Sequence, residues 1–194
     1  MNEKVLTILV IIFIYIFLFL NKKDVVYVES YTKEKFMVYK CPFQKDKADM
    51  LAKILENLIT LKNHLVKNMD SKDLIDMKDH IIQLNNNFNE KKTIIYETDP
   101  NSDLTSYSVN KGEELSFCLK SKKTGQLHDM NIMMYVAIHE LSHIGCPHVG
   151  HGTTFQTIFN RFLHEGVKIG LYKKEDYTVN NVEYCGMMVT SSIL

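Results

Sequence analysis

Hydrophobic positions change their spacing several times along this chain. "VLTILVIIFIYIFLFL", Val5 to Leu20, is sixteen residues without a charge. As a helix it spans roughly 24 Å, slightly less than a hydrocarbon core of about 30 Å. Lys4, Lys22 and Lys23 flank it and can snorkel to an interface. "LFLNKKDVVYVES" follows, with bulky and charged residues where a signal peptide needs a small-residue cleavage site. A retained single-pass membrane anchor over 1–23 is therefore expected. Lysines are more numerous after the segment than before it, which favours a domain on the cytoplasmic side.

From Asp24 the spacing shortens. "DVVYVES" and "EKFMVYK" predict two strands joined by a polar turn. Ala48, Leu51, Leu55, Leu58, Leu61 and Leu65 then recur at helical spacing and predict an amphipathic helix over roughly 44–67. Leu74, Met77, Ile81, Leu84 and Phe88 form a second helical stripe, with Asp70 or Ser71 as N-cap. "NNNFNEKKTIIYETDPNSD" is expected as a loop around Pro100. "TSYSV" and "LSFCL" alternate and predict a hairpin with Gly112 in its turn. Asp129 is placed to cap a following helix that Gly145 and Pro147 end. A last helix starts near Thr153 or Thr154, buries Phe155, Ile158, Phe159, Phe162 and Leu163, and ends near Gly170. The tail "NNVEYCGMMVTSSIL" predicts a final strand. These elements make one α+β domain over 24–194, with helices packed on a small mixed or antiparallel sheet.

Composition narrows the picture only slightly. Formal net charge is zero over 194 residues, so no basic footprint for nucleic acid is indicated. Four cysteines, Cys41, Cys118, Cys146 and Cys185, do not make a disulfide-dense scaffold. They are expected as reduced, small buried fillers.

The candidate chemistry lies in "VAIHELSHIGCPHVGHGTTF", Val136 to Phe155. His139-Glu140-Leu141-Ser142-His143 is H-E-x-x-H on an expected helix, and residues four apart share one face. Both imidazoles can therefore reach one ion, and neutral imidazole suits zinc. Glu140, beside the first ligand, aims at a water on that ion and serves as general base. A catalytic zinc needs a third protein ligand and an open position. His148, His151, Cys146 and Glu165 are candidates. His151 is preferred because it directly precedes a helix packed on the core, which fixes its position. The long metzincin pattern fails, since its glycine falls at Cys146 and its histidine at Val149.

"HELSH" with a short loop and "H-G-x-x-F" resembles the WLM and SprT-like zinc metallopeptidases. The likeness runs from about Thr105 to Met187 and is similar to short, sometimes membrane-anchored forms in large DNA viruses. The resemblance implies that His139, His143 and His151 bind zinc and that Glu140 is the general base. It also implies a zincin-like sheet whose edge strand, "TSYSV" or "LSFCL", holds an extended peptide substrate. Members of the family cleave DNA-crosslinked proteins, yet their DNA-binding extensions have no counterpart here. The expectation is a membrane-anchored zinc metalloendopeptidase acting on a protein or peptide substrate. Two rivals stand beside it. One is an anchored zinc-binding scaffold without proteolytic activity. The other is a closed structural zinc site that uses Cys146 and His148 with the helix histidines.

Overall fold

The computed structural model describes residues 3–20 and 24–190. Two strands, β1 (Val25–Glu29) and β2 (Lys35–Tyr39), pair antiparallel with Val25 opposite Tyr39. The strand β3 (Ile94–Glu97) lies parallel to β2 and to β5 (Glu114–Phe117). The edge strand β4 (Tyr107–Val109) pairs antiparallel with β5, so the order across the sheet is β1-β2-β3-β5-β4. A separate hairpin, β6 (Val182–Tyr184) and β7 (Met187–Val189), closes the described chain.

The helices beside this sheet follow the apolar stripes. The helix α2 (Gln44–Asn68) buries Leu51, Leu58, Leu61 and Leu65 completely and packs across β1, β2 and β3. Fully burying each leucine contributes about 1.5–3 kcal/mol relative to exposure. A 3-10 turn, Ile75–Met77, leads into α3 (Lys78–Asn87), which buries Ile81 and Leu84. The stripe was expected to become helical soon after Asp70. Leu74 is buried ahead of the helix, so its burial extends the apolar periodicity beyond the helix proper.

The helix α4 (Met130–Gly145) starts where Asp129 accepts a hydrogen bond from the Asn131 N–H at 2.7 Å. It buries Met133, Ala137, Ile138, Leu141 and Ile144, leaving one partly open stripe that carries the candidate chemistry. The helix α5 (Thr153–Lys168) crosses it closely. A Cβ on Gly166 would stand 2.9 Å from Ile138 Cδ1, so a larger residue at this crossing requires the end of that side chain to shift.

Four expectations need correction. The membrane anchor is the first. The N-terminal helix α1 (Glu3–Leu20) forms, but no helix among the described residues is long and apolar enough to cross a membrane. Its described side chains run from Val5 to Tyr15, all exposed. The rest of the expected anchor, residues 1–2 and 21–23 and the side chains of 3–4 and 16–20, lies outside the described residues. The inferred orientation falls with it.

Second, the expected loop around Pro100 contains β3, which occupies the centre of the sheet. The strand is only four residues long and ends in an acid, so its apolar signal is faint. Glu97 is only 2% exposed because Lys47 of α2, fully buried, meets its carboxylate at 2.6 Å. The Tyr39 N–H donates to the same carboxylate at 2.7 Å. The third correction concerns the cysteines. Cys118 and Cys185 form a disulfide across 67 positions, while Cys41 and Cys146 are free. Fourth, the final strand of the tail is the β6–β7 hairpin.

Candidate active site

Three histidines converge at the open stripe of α4. His139 and His143 project from the same helix face, one turn apart. His151 arrives from the other side, one residue before Gly152, the N-cap of α5. The Nε2 atoms lie 2.9 Å apart for His139 and His151, 3.1 Å for His143 and His151, and 3.2 Å for His139 and His143. Nitrogens on a tetrahedral zinc at about 2.05 Å stand roughly 3.3 Å apart, so the triangle fits such an ion. Among the described residues this is the one group of histidine, cysteine or acidic side chains close enough to hold a metal.

The electrostatics of the triad favour the ligand form. Burial, reinforced by His143 and His151, pushes His139 down to about 3. Burial, then His151 and Lys111, pushes His143 down to about 4. Both rings are therefore neutral near pH 7, and neutral imidazole is the form that binds a metal. Imidazole lone pairs aimed at one point repel one another unless a proton or cation sits between them.

Phe155 forms the floor under the rings. It stacks on His143 with centroids 4.2 Å apart and meets His139 and His151 edge-on at 4.8 and 4.9 Å. In the sequence it read only as the first core residue of α5. Its second task follows from its place four residues after His151, one helical turn into α5.

Glu140 points from α4 towards the edge strand and is only 5% exposed. Burial pushes its carboxyl up to about 8, and the backbone N–H of Ser108 in β4 opposes that shift. A cation on the neighbouring histidines pulls the carboxyl back towards ionisation.

Lys111 has a role that its sequence does not announce. It sits in the β4–β5 turn in a left-handed conformation, φ 57°. Its ammonium donates to the carbonyl oxygens of His143, Cys146 and His148 at 3.2, 2.7 and 2.9 Å. Those carbonyls belong to the end of α4 and to the loop that leads to His151. A cation at a helix C-terminus also complements the helix dipole. The turn that ends the edge strand thus holds the loop carrying the third histidine.

His148 itself is exposed and stays apart from the triad, and Cys146 is buried away from it. Glu165 is engaged elsewhere, 2.5 Å from His64 Nε2. These placements remove the geometry that a closed site with Cys146 and His148 requires.

A cleft of about 750 Å³ opens over the triad. Thr105 to Ser108 of the edge-strand segment form one side, with the triad and Glu140 at the base. Tyr184 and Met187 of the terminal hairpin form another side. The Tyr184 hydroxyl meets Ser106 Oγ at 2.5 Å, and His128 packs on its ring at 4.9 Å. The backbone N–H of Cys185 donates to His128 Nε2 at 3.2 Å. Tyr177 is buried in an aromatic cluster with Tyr135 and Tyr172.

No family model matches the chain. It is 36% identical over 180 residues to Uncharacterized protein R325 of Acanthamoeba polyphaga mimivirus, covering 91% of this chain and 89% of that protein. The chain belongs to the family of that mimivirus protein. It is also 33% identical over 107 residues to Uncharacterized protein 136R of Invertebrate iridescent virus 6, covering 54% of this chain and 56% of that one. Among solved structures it is similar to Wss1 from Saccharomyces cerevisiae, with 19% identity and a TM-score of 0.39, over 49% of this chain and 74% of that chain. The sheet and helices described above make the fold a mixed α+β arrangement.

Proposed function

We propose that the chain is a zinc-dependent metallopeptidase of the WLM and SprT-like type, carried by a domain over 24–194, with a protein or peptide as substrate. The observation that carries this reading is the convergence of three Nε2 atoms within 3.2 Å, beside a buried glutamate, at the base of an open cleft.

His139, His143 and His151 are the metal ligands in this reading. Zinc held there supplies a Lewis acid that polarises the scissile carbonyl and acidifies a water. The remaining steps belong to the protein. Glu140 accepts the proton of the attacking water and delivers it to the leaving amine. The Ser108 N–H keeps the Glu140 carboxylate facing the cleft. Phe155 and Lys111 hold the imidazoles and the His151 loop in place, so little reorganisation accompanies the reaction. β4 lies at the sheet edge and lines the cleft, a position that suits an extended peptide added beside it as a further strand.

The test is Glu140→Gln in the full chain, assayed on unfolded protein substrates. The variant should keep its metal and lose at least 100-fold in turnover, the lower end of what a positioned acid–base contributes. Unchanged turnover would remove Glu140 from the mechanism. Metal binding without hydrolysis by the parent chain would favour a zinc-binding scaffold.

A further inference from the structure

The cleft also carries information about what enters it. Resting on the peptidase reading, we propose that the terminal hairpin makes the cleft selective for an apolar substrate side chain beside the scissile bond, with Met187 and Val136 as the residues that set the selection.

Charge is the first argument. Two ionisable side chains besides the histidines and tyrosines line the cleft, Glu140 and Lys111. Glu140 is buried and committed to the reacting centre in the reading above. The Lys111 ammonium is shared among three carbonyl oxygens. A substrate lysine or aspartate therefore finds no free counter-charge, and burying an unpaired charge is costly.

The apolar surface is the second argument. Val136 and Tyr135 are half-buried on α4, one turn before the histidines. Opposite them Met187 is 56% exposed, and Val149 on the His151 loop is 93% exposed. All four line the cleft over the triad. An apolar side chain entering there covers surfaces that otherwise face water, at about 25 cal/mol per Å². Methionine adapts its shape to the group that fills such a site.

Rigidity is the third. Selection by a surface hairpin requires that the hairpin stay in place. The Cys118–Cys185 disulfide joins its turn to the residue after β5, and Tyr184, next to Cys185, is bonded to Ser106. Met187 lies two residues from the cross-link and inherits its position.

The test uses the full chain carrying Glu140→Gln, so that peptides are bound without turnover. Capped peptides identical except at one residue beside the intended bond (Leu, Phe, Lys or Asp) are titrated by calorimetry. Leu and Phe peptides should bind at least tenfold more tightly than Lys and Asp peptides. Met187→Glu in the same background should leave metal content unchanged and move the preference towards Lys by at least tenfold. Equal or tighter binding of the charged peptides overturns the proposal, as does a ranking that Met187→Glu leaves in place or an absence of binding throughout. The peptidase reading fails separately. A wild-type chain that ranks these peptides and cuts none of them overturns that reading and leaves the selectivity standing. One that cuts them all equally overturns the selectivity alone.

Discussion

Replacing Lys111 with methionine tests whether the third histidine is held by the turn beyond the edge strand. Methionine keeps much of the side-chain length and deletes the charge. The Cys146 carbonyl, bonded at 2.7 Å, and the His143 carbonyl, at 3.2 Å, lie at the end of α4. The His148 carbonyl, at 2.9 Å, is on an exposed residue that water can reach. A hydrogen bond to a charged group contributes about 1.5–3 kcal/mol net, and water replaces part of it at a half-exposed site. A total loss of about 2 kcal/mol follows, or roughly 4–8 °C in Tm for a domain of this size. The more specific effect is on the metal. Removing a group that orients a ligand lowers metal affinity by roughly 10–100-fold. Thermal melts of metal-free and metal-loaded protein, together with competition against a zinc-binding indicator, separate the two effects. A variant that melts earlier yet binds zinc as the parent does would refute the idea that Lys111 positions His151.

Other parts of the structure make equally direct predictions. Lys47→Met leaves the Glu97 carboxylate buried without its ammonium partner. It should cost roughly 3–5 kcal/mol in urea unfolding, and adding Glu97→Gln should recover much of that; a loss below about 1 kcal/mol would contradict the pair's burial. Cys118→Ser opens a cross-link spanning 67 positions. By loop entropy it should cost roughly 4 kcal/mol, and a phosphine reductant should lower the Tm of the parent but not of the variant.

Much of the fold was legible because its signals are local. The α2 stripe, the Asp129 cap, the stop at Gly145 and the start at Thr153 are each written within one or two turns of chain. The meeting of His139 and His143 follows from helix geometry alone. His151 directly precedes α5, and its imidazole lies beside the two helix histidines while His148 stays apart and exposed. The features that escaped are long-range. β3 is short, and the partner that makes Glu97 acceptable in its interior is fifty positions away on α2. Lys111 reads as a polar turn residue until α4 brings three carbonyls to it. Four cysteines in 194 residues read as reduced fillers, because nothing local to Cys118 or Cys185 marks them as a pair across 67 positions. The apolar N-terminal run was the strongest single signal, yet no helix among the described residues is long and apolar enough to cross a membrane.

The central claim is that His139, His143 and His151 form one metal site. The direct measurement is metal content of the purified full chain beside His151→Ala and His148→Ala. One zinc per chain in the parent and in His148→Ala, with loss in His151→Ala, is the predicted result. A parent chain that takes up no zinc, or two variants that lose it equally, would contradict it.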